Sequence, residues 1–275
     1  MTQCTKTLPH DTTSFTEGLE IYNGVLYEST GLFGQSTLRK IDLETGKVIK
    51  TYYLPKDYFG EGITIFKDKI YMLTWKNNMI LVFNLDLDLL QQVHFNNTVI
   101  KELWGLNHTN LYLIVSDGTS NLYYLDPATN YKIVKTLKVT QQNANRETSP
   151  VVNLNELEYY PEKKLIFANV FMTNTIIVVD ETTGKVISQI NCDELAKSEK
   201  KLNTEQKSNS DTKPNSDRNR DKTKTKPDTQ PSDDQKVLNG IALQTTQNGT
   251  ELYITGKCWN KIYILDLYAL SNLSI

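Results

Sequence analysis

Residues 17–47 read EGLEIYNGVLYESTGLFGQSTLRKIDLETGK, and this stretch decides the fold. It carries three marks: Glu17-Gly18-Leu19 at its start, Leu26-Tyr27 in the middle, and Ile41-Asp42 followed by the turn Glu-Thr-Gly-Lys. Short apolar runs between the marks are cut by Gly, Asn, Asp and Thr, the residues of tight turns. Outward from here the same marks return four times. The first recurs as Glu61-Gly62-Ile63, Trp104-Gly105-Leu106, Asn155-Glu156-Leu157 and Asn239-Gly240-Ile241. The second recurs as Ile70-Tyr71, Leu111-Tyr112, Ile166-Phe167 and Leu252-Tyr253, and the third as Phe83-Asn84, Leu125-Asp126, Val179-Asp180 and Leu265-Asp266.

No long segment with a 3.6-residue period is present, so the pattern is all-β. Five units of roughly 45 residues, each with three or four short strands, predict a five-bladed β-propeller. A β-sandwich gives no reason for five copies. The last unit runs out of chain near its outer strand, so residues around Thr5–Leu8 are expected to supply it. The whole chain, 1–275, is expected to be one propeller domain. One stretch departs from the pattern. Residues 197–236 hold a single large apolar side chain, Leu202, and no aromatic. Such a composition cannot bury enough surface to offset its ordering entropy. It predicts a flexible low-complexity insertion within a loop before the last blade.

Composition excludes several functions. With 30 Lys+Arg against 32 Asp+Glu the net charge is −2, which provides no field for a polyanion, so nucleic acid is not an expected partner. There is no run of 18 apolar residues, hence no expected membrane span. The first twenty residues lack a basic start followed by an apolar stretch, so no signal peptide is expected in this chain. Cys4, Cys192 and Cys258 lie far apart without CxxC, and His10, His94 and His108 share no HxxxH or HExxH spacing, so a zinc site is not expected. The chain has no GxGxxG, no Walker loop and no GxSxG.

In a propeller the first strand of each blade lines the central axis. The first mark therefore places Glu17, Glu61, Trp104, Asn155 and Asn239 in one ring at a channel mouth. Five residues past each second mark lie Gly31, Trp75, Ser116, Phe171 and Lys257, a wider ring at the same mouth. Apolar walls with a few convergent polar groups describe a small-molecule pocket. A carboxylate among aromatics tends toward a raised pKa and suits proton transfer near neutral pH. Structural readings stand beside this one. Asn155 and Asn239 are able to cap turns, the tryptophans to fill core, and Glu61 to pair with Lys257 as a structural ion pair. Glu156 and Glu158 alternate onto the face opposite Asn155 and are assigned to structural hydrogen bonding.

At these residues the sequence resembles the plant and bacterial type of glutaminyl cyclase. The matching pieces include His10-Asp11-Thr12, Phe15-Thr16-Glu17-Gly18-Leu19, Phe59-Gly60-Glu61-Gly62-Ile63, Leu73-Thr74-Trp75, Trp104-Gly105-Leu106, Leu154-Asn155-Glu156-Leu157, Val237-Leu238-Asn239-Gly240-Ile241 and Thr255-Gly256-Lys257. They run in order along the chain outside the insertion. The resemblance implies a five-bladed propeller that converts N-terminal glutaminyl residues of peptides and proteins to pyroglutamyl with release of ammonia. It implies Glu61 as general acid/base, with Phe15, Glu17, Trp75, Trp104, Asn155, Phe171 and Lys257 around the substrate. It implies no cofactor and no catalytic metal, peptide substrates as the partners of a monomer, and the secretory pathway as the compartment. Sequons at Asn96, Asn107, Asn248 and Asn272 add little to that compartment in an Asn-rich chain. Two positions depart from the family: Glu17 stands where Gln is usual, and Phe171 where Trp is usual. A second carboxylate near Glu61 is expected to raise its pKa or compete for Lys257. The alternatives are a non-catalytic propeller that binds peptides, and a metal-dependent propeller hydrolase using Glu17, Glu61, Asn155 and Asn239.

Overall fold

The structure, a computed structural model, describes residues 4–211, 231–247 and 249–267. Strands form first in hairpins. The polar residue of the third mark makes the outer turn of its unit: Asp42 Oδ1 accepts the Thr45 amide at 2.8 Å and Asp180 Oδ1 the Thr183 amide at 2.7 Å. Asn84 takes the amides of Asp86 and Asp88 in the same way. These side-chain turns return the third strand into the fourth.

The hairpins build five four-stranded antiparallel sheets. Blade 1 contains Thr16–Tyr22, Val25–Thr30, Thr37–Asp42 and Val48–Tyr53; blade 2 contains Gly60–Phe66, Lys69–Thr74, Met79–Phe83 and Leu89–His94. Blade 3 contains Leu106–His108, Leu113–Ser116, Asn121–Asp126 and Lys132–Lys138; blade 4 contains Leu154–Tyr160, Leu165–Val170, Thr175–Asp180 and Val186–Asn191. Blade 5 contains Leu238–Thr246, Gly249–Gly256 and Lys261–Asp266, and Cys4–Pro9 is its outer strand. The inner strands touch in chain order, and that of blade 5 touches that of blade 1. The five-bladed propeller read from the repeats is thus the observed fold. The N-terminal strand closes it as expected, with Lys6 opposite Ile264 and Leu8 opposite Ile262.

Each blade is covered on both faces, which explains why its strands read as continuous apolar runs. In Ile176-Ile177-Val178-Val179 the side chains alternate. Ile176 and Val178 join the core shared with blade 5, while Ile177 and Val179 join the core shared with blade 3. Five such clusters lie between neighbouring blades. Near the axis the blades approach backbone to backbone. A Cβ on Gly62 would stand 2.5 Å from the Leu106 nitrogen, so the glycine of the first mark is a contact requirement. Blade 4 carries Glu156 at this position. Its carboxylate instead spans the axis, accepting the amides of Leu19 at 3.2 Å and Ile241 at 2.8 Å. Glu158 accepts from the Leu243 amide and the Asn107 amide group, so both glutamates are structural, as read from their alternation.

Three features differ from expectation. A two-stranded ribbon, Thr140–Gln142 with Thr148–Pro150, sits between blades 3 and 4 and accounts for the longer spacing of that unit. The sequon residue Asn107 is buried and bonded to Glu158 and to the Leu157 carbonyl, which leaves no room for a glycan; Asn96 is exposed, and Asn248 and Asn272 lie outside the described residues. The third correction concerns the insertion. Its first part is helical, α1 spanning Asp193–Asp211. The buried Glu199 accepts the Tyr263 hydroxyl at 2.8 Å and the Asn260 amide group at 2.9 Å, and Asn203 accepts from Asn260 as well. Average composition hides this face, because its anchors are polar residues one turn apart. Of the rest of the predicted flexible stretch, 231–236 is described and holds the short turn Asp233–Gln235, and 212–230 lies outside the described residues.

Candidate active site

Strand pairing at the axis is interrupted once in each of four blades. The register shifts between Thr16 and Gly18, between Gly60 and Ile63, between Leu154 and Leu157, and between Leu238 and Ile241. The skipped positions include Glu17, Glu61, Asn155 and Asn239. A bulge releases a residue from the ladder and turns its side chain out of the sheet. Four blades therefore aim one polar side chain each toward a common mouth. Blade 3 does the same with Trp104, whose amide bonds the Ser116 carbonyl just before the strand begins. Trp75, Phe171 and Lys257 each follow directly on the end of a second strand and form the outer ring.

Together these residues enclose a cavity of about 320 Å³ lined by Phe15, Glu17, Leu32, Phe59, Glu61, Trp75, Trp104, Asn155, Phe171, Gln235 and Lys257. The eight side chains that the resemblance places at the site all line it, and Asn239 of the inner ring does not. Its walls are mostly aromatic. Phe59 packs edge-on to Phe15 at 6.3 Å and to Trp75 at 5.5 Å, and Trp104 packs edge-on to Phe171 at 5.8 Å.

Charge inside the cavity is unevenly partnered. Lys257, 4 % exposed, pairs with Glu17 and lies 4.4 Å from the centre of the Phe15 ring. The ion pair weighed between Glu61 and Lys257 is therefore not the one formed: Glu17, on the adjoining blade, takes the ammonium. Burial pushes the Glu17 carboxyl up and Lys257 pulls it back, leaving it at about 6. No hydrogen bond or ion pair among the described residues reaches the Glu61 carboxylate, which is buried as well. Burial above all holds its pKa well above the usual carboxylate range; Glu17 adds to the rise, Lys257 opposes it and Glu102 adds a little more. The expectation that Glu17 would raise the Glu61 pKa and compete for Lys257 describes both effects.

The amides are chained. Asn155 donates to Asn239 Oδ1 at 3.1 Å, and Asn239 donates to the Thr16 carbonyl at 2.9 Å, tying blades 4, 5 and 1. Asn239 lies behind the cavity wall, whereas Asn155 lines it. Trp259 is core, its indole bonded to the Lys236 carbonyl and its ring edge-on to Tyr263. Sequence reasoning missed Phe59, Glu102 and Gln235. Phe59 lies two residues before Glu61, just ahead of the strand Gly60–Phe66, outside the positions that the repeat marks. Glu102 accepts both indole N–H groups of the cavity, from Trp75 at 2.7 Å and Trp104 at 3.1 Å. Gln235 sits in the short turn Asp233–Gln235 at the end of the low-complexity stretch, where no pattern marks it.

Fold and site define a class: a β-propeller whose channel mouth is closed into an aromatic box around one unpartnered carboxylate. The sequence profile of the glutamine cyclotransferase family matches residues 1–267. The chain is 34% identical over 262 residues to a glutaminyl-peptide cyclotransferase of Arabidopsis thaliana, covering 94% of this chain and 69% of that protein. Its fold is similar to the crystal structure of glutaminyl cyclase from Myxococcus xanthus, with a TM-score of 0.73, 25% identity and 96% of each chain covered. The chain belongs to the glutamine cyclotransferase family.

Proposed function

We propose that this protein is a glutaminyl-peptide cyclotransferase that closes N-terminal glutaminyl residues of peptides into pyroglutamyl by metal-independent acid/base catalysis, with Glu61 as the single proton carrier. One observation carries the reading: a buried carboxylate with a raised pKa stands unpartnered in an aromatic cavity sized for one side chain. Both reacting groups belong to one residue, so ring closure is intramolecular and gains the corresponding entropy advantage. The α-amine adds to the γ-carboxamide carbon to form the new C–N bond and a tetrahedral intermediate whose oxygen carries the charge; collapse of that intermediate breaks the old C–N bond and releases ammonia. One proton must leave the attacking nitrogen and one must reach the departing ammonia. Glu61, whose pKa burial raises well above the usual carboxylate range, takes the first and supplies the second. Lys257 and Asn155 are the donors on hand for the developing oxyanion. The tryptophans and Phe171 hold the short side chain folded, close to its attack geometry.

Donor chemistry supports a reaction without metal. Three of the four groups weighed as metal ligands are engaged elsewhere: Glu17 with Lys257, Asn155 with Asn239, and Asn239 with a backbone carbonyl. The cavity is complete within one chain, so we take the 1–275 propeller, acting as a monomer, to be the working unit. The substrate's free N-terminal Gln arises after leader removal, which favours the secretory path.

The test is a short Gln-initiated peptide, followed by mass spectrometry for loss of one ammonia and by coupled ammonia detection. Turnover is expected to be unaffected by EDTA. Glu61→Gln is expected to bind the peptide and melt as the parent does, while turnover falls roughly 10²–10⁴-fold, the range for loss of a general acid/base. Near-normal turnover in this variant would remove Glu61 from the role.

A further inference from the structure

Trp75 follows the second strand of blade 2 and Trp104 precedes the first strand of blade 3, so the two rings are held by different blades. Trp75 is pressed by Phe59 at 5.5 Å and Phe33 at 6.4 Å, and the Lys76 ammonium lies over its face at 4.0 Å. Trp104 is pressed by Phe171 alone among the ring contacts described. The indole N–H is a donor without an acceptor, so a single well-placed oxygen fixes the ring's direction. Both indoles find the same one: Glu102 Oε2, at 2.7 Å from Trp75 Nε1 and 3.1 Å from Trp104 Nε1. One atom thus bridges the seam between blades 2 and 3 at the cavity wall.

We propose that Glu102 is a positioning residue for the cyclisation: by taking both indole N–H groups on one carboxylate oxygen it sets the angle between the two tryptophan walls that keep the glutaminyl side chain folded. This rests on the cyclase reading of the cavity. A neutral acceptor would hold the rings, so the choice of a carboxylate has a second effect, on Glu61. The charged groups facing Glu61 are Glu17 from blade 1, Lys257 from blade 5 and Glu102 from the approach to blade 3, and the last helps keep the Glu61 proton bound to higher pH. Glu102 therefore acts on geometry through hydrogen bonds and on proton affinity through charge, and the two separate by substitution.

Glu102→Gln retains a carbonyl acceptor for the indoles and drops the charge; Glu102→Leu drops both. In the full chain, Glu102→Gln is expected to keep KM within about threefold, a change smaller than loss of one hydrogen bond. The acidic limb of its kcat profile is expected to move to lower pH. Glu102→Leu is expected to lower kcat/KM by about 10–100-fold, the scale of a misplaced substrate wall. Its tryptophan emission and acrylamide quenching should also change, since two of the three tryptophans lose their partner while Trp259 stays buried. Parent-like kinetics and emission in Glu102→Leu overturn the proposal. So does a Glu102→Gln variant as impaired as Glu102→Leu with an unmoved pH profile. If the parent itself fails to cyclise the peptide, the cyclase reading fails, and the emission of Glu102→Leu still decides whether this oxygen holds the rings.

Discussion

Glu17 and Glu61 occupy equivalent bulges of adjoining blades, yet only Glu17 has a cation. The difference comes from Lys257, which reaches the mouth from blade 5 and meets blade 1 first. The pair is buried, so its attraction is little screened and its desolvation costs much. For the unpartnered Glu61, burial and two like charges act in one direction. Replacing Glu17 by Gln, the residue usual in the family, removes one repelling charge and leaves Lys257 to face Glu61. Both changes favour the ionised form of Glu61. The acidic limb of kcat/KM is therefore expected to move to lower pH in Glu17→Gln, measured against the parent on one peptide. At this scale the sequence was legible wherever a repeat placed the residue: bulge position and strand end located Glu61, Trp75, Asn155 and Lys257. It was silent on Glu102 and Gln235, which lie outside the repeated marks, and on which carboxylate Lys257 would choose. That choice depends on distances across the ring.

The inner strand is the element that joins site to scaffold. One side of its bulge faces the mouth, and further along it carries carboxylates into the axis. Glu20 accepts from the Thr64 hydroxyl at 3.1 Å, while Glu156 and Glu158 take amides from blades 1 and 5. Burial lifts the Glu20 pKa to about 8 and those of Glu156 and Glu158 well above the ordinary range. A carboxyl whose folded pKa exceeds its unfolded one binds its proton more tightly when folded. Its contribution to stability is fully present below the unfolded value and is lost as pH rises through the folded one. Glu20→Gln is thus expected to melt higher than the parent at pH 9, with the advantage gone by pH 4, as read from melting temperatures across that range. The expectation of structural hydrogen bonding for Glu156 and Glu158 needed only strand alternation. Helix α1 was not legible, because its docking uses Glu199 and Asn203 on Asn260 and Tyr263.

At the scale of the whole molecule, ring closure decides stability. Strand Cys4–Pro9 covers the edge that blade 5 would otherwise present to solvent. A clasp follows at once: His10 bonds Glu28 at 2.8 Å and the Trp259 carbonyl at 2.8 Å, and Ser14 accepts the Cys258 amide beside Lys257. The closing strand is held from within by Leu8, buried against Leu19, Leu26, Ile262 and Ile264. Leu8→Ala is expected to cost about 2–3 kcal/mol, the lower part of the range for a buried leucine, seen as an earlier urea midpoint with an unchanged Glu61 pH profile.

The sequence by itself determined the blade count, the all-β architecture, the closing strand and the side chains that gather at one mouth. Periodicity is a local property, and a ring built from identical units converts it into position. Tertiary structure alone decided that Lys257 holds Glu17 and leaves Glu61 bare, that one oxygen of Glu102 joins two tryptophans, and that part of a polar insertion becomes a docked helix. Each depends on contact between residues far apart in the chain, where distance and burial, not residue type, set the energy.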